Sequence, residues 1–458
     1  MRPPLTKMIS EYVAKVRFED IPKHVIKTIK DSTIDVIGCG LLGSITPHAR
    51  LIIDYVVSWG SREESVIWGT DKKAAAPFAA FANSMSAHAW DFDDTMYPAL
   101  LHPAIVSVPA ALSVAEKRGS VNGREFLTAI ALGYEISNLV GHALNPRKFM
   151  VRGFYNSIPA IFSPVTIAGK LMGFEAEKFA RAYGIAATQA AGLYSGTVTK
   201  RINAPKAVMG GIFAAELADR GLEAPTDVLE AEYSGFIKTF SDEPLWEVIP
   251  RDLGKFAFEV FLKYYPCIRS NHPAVEGIKV MMSEHPDIKH ENIEKIVVHA
   301  DTATVKYTVE TTGGGHIVET VGNALISLPY CVAAMVVDGE LTTDQFTEEK
   351  IKDPRIQALL KKVDVVVDPE IDKLPITQRY RCTIEVKLKD GRTYTKFYAS
   401  PKGDPTNPLT KDELFNKFRR NASKVFKEDR IKELIKALDN LENLDDVSEI
   451  AKLLSTKY

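Results

Sequence analysis

Over its first 260 residues the chain reads as one helix after another, and most of these helices have no polar face. "AAAPFAAFANSMSAHA" (74–89), "AIVSVPAALSVA" (104–115) and "FLTAIALGYEI" (126–136) are apolar nearly all round and crowded with alanine and glycine. A helix apolar on every side has to be covered on every side, and small residues let neighbouring backbones approach closely. Such a sequence predicts a thick all-α core. "DIPKHVIKTIKDSTIDVIGCGLLG" places Asp20 as an N-cap, Pro22 early, and glycines at the stop; "TPHARLIIDYVVSWG" repeats the device with Thr46, Pro47 and Gly60. Further helices are expected at 74–90, 104–118, 123–143, 157–172, 175–192 and 205–220.

After about residue 265 the character changes. "NIEKIVVHA", "KKVDVVVD" and "RYRCTIEVKLKDGRTYTKFYAS" are rich in β-branched residues, and the last reads as a hairpin turning at Asp390-Gly391. Helical patterns at 272–285, 320–337 and 343–361 lie between these strands. "SPKGDPTNPLT" is a return linker, followed by helices at 410–426 and 428–455. The expected fold is mainly α: a large helical domain (1–264 and 405–458) with an inserted, smaller α+β lid domain (265–404). The 458 residues are enough for both.

A formal net charge of −2 argues against a nucleic-acid partner. No apolar run has the length of a membrane span, and the N-terminus lacks the apolar centre of a signal peptide, so the expected location is cytoplasmic. Cys39, Cys267, Cys331 and Cys382 are scattered without metal-ligand or disulfide spacing.

Chemistry concentrates in "WDFDDTMYPALLHPA" (90–104), where Asp91, Asp93 and Asp94 precede His102, and buried carboxylates demand partners. Three readings compete. A metal site needs convergent ligands, for which the local sequence gives little support. Asp91–Thr95 satisfies the DxDxT pattern of haloacid-dehalogenase-like phosphatases, but that aspartate ends a buried strand, and the segment before this one reads as helix. A cofactor-free acid–base site remains, with Thr95 and His102 where one helix ends and the next begins. Cations follow: Lys200 and Lys206 in "TKRINAPKAV", then Lys263, Arg269 and His272 in "KYYPCIRSNHPAV". Acid, imidazole and cations together suit a small di- or tricarboxylate substrate. On the bland side, Asp93 and Asp94 are equally suited to backbone capping, His88 to a packed helix face, and His285, His290 and His316 to the surface of the inserted domain.

The chain resembles the MmgE/PrpD family, which includes 2-methylcitrate dehydratase, cis-aconitate decarboxylase and iminodisuccinate epimerase. The likeness runs nearly full length, through "FEDIPKHVIKTIKDSTIDVIGCGLLG", "FANSMSAHAWDFDDT", "LLHPAIVSVPAALSVAE", "FLTAIALGYEI", "GIAATQAAGLYSG…K", "AAELADRG" and "KYYPCIRSNHPAVEG". It implies a helical domain with an α+β lid, a homodimer, and no metal or redox cofactor. It also implies that Asp91, Thr95, His102, Lys200, Lys263, His272 and Tyr307 line the site. Two departures stand out: Tyr155, in "VRGFYNSIPA", replaces a histidine that many members carry, and one extra residue separates Thr95 from His102.

Chemistry of this kind builds charge on a carboxylate-activated carbon, which Lys200, Lys263 and Arg269 are placed in sequence to stabilise. His102 is the first choice of acid–base group and His272 the second. Asp91 would orient His102 or share its proton, Thr95 would bond a substrate carboxylate, and Tyr155 would donate a proton or position the substrate. The expected activity is a hydro-lyase acting on a citrate-like hydroxy polycarboxylate, of the 2-methylcitrate dehydratase type used in propionate catabolism. The alternatives are an epimerase or decarboxylase of a related di- or tricarboxylate, or a degenerate carboxylate-binding protein.

Overall fold

The structure, a computed structural model, describes residues 2–193, 200–310 and 315–457, with Lys200 described by its backbone alone. Helix makes up 58% of the chain and strand 9%, so the class is mainly α. Two compact units are present. One comprises Met1–Ala89, Asp93–Val260 and Thr410–Tyr458; the other comprises Trp90–Phe92 and Phe261–Leu409. The short excursion Trp90–Phe92 is tied into the second unit because Lys263 holds both the backbone carbonyl and the carboxylate of Asp91.

In the first unit, α1 (Leu5–Lys15), α2 (Lys23–Ser44), α3 (Pro47–Ser58), α4 (Ala76–Ala87), α5 (Ala104–Arg118) and α6 (Gly123–Ala143) follow in order. Helices Phe162–Leu171, Ala176–Gln189 and Lys200–Asp219 pack on them, joined by the C-terminal Lys411–Ala422 and Glu428–Asp439. The expected N-cap of α2 is corrected, while its end falls at Ser44, one residue past Gly43. Pro22 occupies its N-cap, while Asp20 accepts a bond from the Arg17 amide in the preceding turn. The helix runs through Gly38 and Gly40 and ends directly after Gly43. A Cβ on Gly40 would lie 2.6 Å from the Trp68 ring, and one on Gly43 only 1.7 Å from the carbonyl oxygen of Ser86. These glycines therefore mark where α4 and Trp68 press against the last turns of α2. Thr46 caps α3 through the Ala49 amide, and an Asn122–Glu125 capping box opens α6. Lys417 of the C-terminal segment reaches Asp35 of α2 at 2.6 Å, with both side chains buried.

The second unit is a four-stranded sheet in the order Val363–Val367, Ile293–Ala300, Cys382–Leu388, Thr393–Tyr398. Its first pair is parallel and the other two antiparallel. The last two strands form the hairpin expected at Asp390-Gly391, with Gly391 at φ +90°. His272–Glu284 and Leu328–Asp338 supply a core with Ile278, Ile296, Val298, Ile384 and Val386. Two helices expected to be continuous are broken at prolines: Val321–Ile326 gives way to Leu328–Asp338 at Ser327-Leu-Pro329, and Glu348–Ile351 to Pro354–Leu360. In each break a side chain (Ser327 or Asp353) caps the new helix. Among the described residues, no single helix is long and apolar enough to cross a membrane.

Candidate active site

The acidic cluster lies where α4 ends and α5 begins. His88 sits at the C-cap of α4, its amide bonded to the Ser84 carbonyl at 3.1 Å. The chain then passes through the aspartates into the short strand Thr95–Tyr97 and turns back. Met96 and Leu101 exchange backbone hydrogen bonds of 2.8 and 3.1 Å, closing a tight loop that returns His102 to the aspartates eight residues before it.

The aspartate that the loop presents to His102 is Asp93. Its Oδ2 lies 2.9 Å from His102 Nδ1, and its Oδ1 lies 2.8 Å from His88 Nδ1. The His102 Nδ1 is also 2.8 Å from the Asp94 carbonyl oxygen, which can only accept. Nδ1 of His102 is therefore the protonated nitrogen, and Nε2 is left as the basic one. Burial raises the proton affinity of Asp93, but the two imidazoles outweigh it and hold the carboxyl well below the usual range. An ionised, fully buried carboxylate thus lies between two histidines whose rings are 4.9 Å apart.

Asp94 behaves oppositely. Its Oδ1 accepts the Ala104 amide at 3.0 Å, which satisfies the N-terminus of α5, and its Oδ2 meets the Tyr134 hydroxyl at 3.0 Å. Burial, followed by the adjacent Asp93 charge, pushes it up to about 8, with the amide and the hydroxyl pulling the other way. Two neighbouring aspartates are thus driven apart, one ionised and one protonated at neutral pH, a division of labour typical of acid–base sites. His88, Asp93 and His102 also offer candidate ligand atoms within 4.8 Å of one another. His88 Nδ1 is hydrogen-bonded to Asp93 Oδ1, whereas His102 Nδ1 donates to the Asp94 carbonyl and faces Asp93 Oδ2 at 2.9 Å as an ion-pair partner, so each Nδ1 is already engaged.

Of the residues expected to act, Thr95, His102 and Tyr155 lie in this unit. Thr95 is buried, and its hydroxyl finds no hydrogen-bond partner among the described residues. Tyr155 is buried, its amide bonded to the Gly192 carbonyl at 3.1 Å. Lys200 begins the helix Lys200–Asp219, and its side chain lies outside the described residues. The structure corrects the role given to Asp91: the carboxylate that orients His102 is Asp93, whereas Asp91 pairs with Lys263.

That pair belongs to the second unit. Lys263 is fully buried; its Nζ lies 2.7 Å from the Asp91 carbonyl and closer still to the carboxylate, and Asp91 is held at φ +49°. A non-glycine residue in that region is strained, and such strain concentrates at functional sites. Arg269 lies flat over Phe261 (3.7 Å) and Tyr380 (4.6 Å), with Nη2 2.6 Å from Asp404. Its Nε and Nη1 are buried without hydrogen-bond partners among the described residues. His272 opens the helix His272–Glu284 and packs edge-on to Phe261. Tyr307 is half-buried in the π-type turn Lys306–Glu310.

Residues 7–249 match the MmgE/PrpD N-terminal domain, and residues 265–443 match the MmgE/PrpD C-terminal domain. The chain belongs to the MmgE/PrpD family. Its curated relatives in the family include the cis-aconitate decarboxylase of Homo sapiens, 29% identical over 98% of this chain and 94% of the relative. A cis-aconitate decarboxylase-like protein of Aspergillus oryzae is 29% identical over 98% and 97%, and the cis-aconitate decarboxylase of Aspergillus terreus 27% over 98% and 96%.

Sequence reasoning left Asp93 and Asp94 evenly balanced between capping and chemistry, gave His88 to a packed helix face, and did not name Tyr134 as part of this candidate site. A signal for His88 was present: it stands five residues before Asp93, across the end of a helix, where the chain can fold back on itself. Tyr134 had none, since one tyrosine in the apolar helix α6 reads as core.

Proposed function

We propose that this chain is a carboxy-lyase acting on an unsaturated tricarboxylate of the cis-aconitate type. The observation that carries the acid–base assignment is the His102 ring, held at Nδ1 by the Asp94 carbonyl and placed 2.9 Å from buried, ionised Asp93. The substrate class rests on the relatives, all matched along nearly the whole chain. This reading takes the decarboxylase in place of the hydro-lyase expected from the sequence.

The chemistry calls for one well-placed proton. Loss of CO2 directly from the alkene carbon of cis-aconitate would leave an unstabilised vinyl anion. Loss from the CH2 arm breaks the C–C bond so that its electron pair spreads through the double bond onto the carbon bearing the distant carboxylate. Protonation there completes the reaction: substrate plus one proton gives product plus CO2. His102 in its imidazolium form delivers that proton from Nε2, while Asp93 stabilises the charged ring. The Thr95 hydroxyl donates to a substrate carboxylate, and water reprotonates His102 afterwards.

The test is incubation of the purified protein in deuterated water with cis-aconitate, citrate, 2-methylcitrate and iminodisuccinate, followed by NMR. Release of CO2 from cis-aconitate with one deuterium placed on the carbon next to a carboxylate supports the proposal. Loss of water from a hydroxy acid, with cis-aconitate left intact, would return the assignment to a dehydratase.

A further inference from the structure

Asp93 has two imidazole partners, and acid–base catalysis by His102 requires only one. His88 is 1% exposed, its Nδ1 is taken up by the carboxylate it shares and its ring packs against His102, so it is not placed to act as an acid or base from Nδ1. A carboxylate that accepts from a single imidazole concentrates its charge on that ring and, in a dry interior, holds the imidazolium tightly. An imidazolium held too tightly is a poor acid at neutral pH, because proton transfer is most effective when the acid's affinity lies near the working pH. A second N–H on the other carboxylate oxygen withdraws part of that charge.

We propose that His88 is a positioning residue that sets how strongly His102 holds its proton, acting through the carboxylate the two imidazoles share. This rests on the reading of His102 as the acid–base group. The groups facing the array are few. Asp94 adjoins Asp93 in sequence and is bonded to Tyr134 of α6. Asp35 of α2 acts on Asp94 from further out, and its own carboxylate is engaged by Lys417. None of these changes when His88 is replaced, so a difference between His88 variants reports the shared carboxylate.

The experiment uses the full-length protein with 15N-labelled histidine. In the wild type, NMR should show both His88 and His102 protonated on Nδ1, and His102 titrating along with the alkaline limb of the kcat/KM–pH profile measured with cis-aconitate, where the imidazolium that must donate is lost. In His88→Leu, which keeps bulk but donates nothing, the His102 titration and that limb should both move up by about one pH unit, the scale of one charge-assisted hydrogen bond. In His88→Asn, whose side-chain N–H can reach the same oxygen, both should stay within a few tenths of a unit of wild type. Equal profiles for wild type and His88→Leu would overturn the proposal, as would equal displacement of both variants. If His88→Leu does not fold, the wild-type spectrum and His88→Asn decide: His88 protonated on Nε2, or a full-unit shift in His88→Asn, is fatal. An NMR titration of His102 that moves as expected while cis-aconitate is not turned over would sink the proposed function and leave this inference standing.

Discussion

Asp93 Oδ2 lies 2.9 Å from His102 Nδ1, and among the described residues neither Asp93 oxygen has a backbone amide to share its charge in place of the two imidazoles. Asp93→Asn should therefore do two separable things. The Asp94 carbonyl still holds the His102 Nδ1–H, so His102 keeps its tautomer but loses the negative charge that stabilises its imidazolium. Turnover should fall by about 10²-fold or more, the lower end of what a positioned acid–base group contributes. Stability should also drop, by about 3 kcal/mol, because breaking a buried pair strands the other partner. Steady-state kinetics on the fraction that stays folded by circular dichroism separates the two effects, and a variant with wild-type turnover would refute the role of Asp93.

Asp94 makes the opposite prediction about pH. Its acid is raised to about 8 in the folded chain, against roughly 3.9 in an unfolded one. Below pH ~4 both states hold the proton and its full contribution to stability is present. Between about 4 and 8 the unfolded state releases the proton while the native state keeps it, so that contribution is lost as pH rises through the folded value. Asp94→Asn keeps an acceptor for the Ala104 amide and a donor for the Tyr134 oxygen, yet cannot ionise. Its Tm relative to wild type should climb by on the order of 5 °C from pH 5 to pH 8 and level off above. A difference independent of pH would show that Asp94 is ionised throughout.

The helical order was legible because patterning and caps are local: the expected 104–118 and 123–143 are the observed Ala104–Arg118 and Gly123–Ala143. What was illegible depended on distant partners. The glycines of α2 read only as a stop signal until Ser86 and Trp68 are known to press on them. The same holds in the site. "WDFDDT" announces acid chemistry, but nothing local says that the bridge between Met96 and Leu101 delivers His102 to Asp93 instead of Asp91. Which aspartate ionises is set by Ala104, Tyr134 and His88, from three different helices or their ends.

The α2 glycines give a prediction of their own. With the Ser86 carbonyl 1.7 Å from where the Cβ would sit, Gly43→Ala must push α2 and α4 apart. Backbone cannot yield as a flexible side chain would, so a destabilisation of about 3 kcal/mol or more is expected, seen as a lowered urea midpoint. Gly60→Ala is the control for conformation alone: it has a positive φ of 61° but nothing within 4 Å, and should cost about 1 kcal/mol.

The Thr95 hydroxyl separates stability from function most cleanly. Buried and without a hydrogen-bond partner among the described residues, it contributes desolvation cost to the folded state and no compensating bond. Thr95→Val keeps the β-branched shape that suits the strand Thr95–Tyr97 and removes only the polar atom. If the hydroxyl serves the fold through a bond elsewhere, the variant should lose about 1 kcal/mol or more. If it serves a substrate carboxylate, as proposed here, Tm should stay level or rise while KM for cis-aconitate increases by about 10-fold, the scale of one hydrogen bond to a charged group. The turnover number should change less, since the carboxylate it holds carries its charge before and after CO2 departs. Thr95→Ser restores the hydroxyl and should recover most of the affinity. A Thr95→Val protein that is less stable and binds substrate as the wild type does would move Thr95 out of the site and leave His102 and Asp93 to be tested without it.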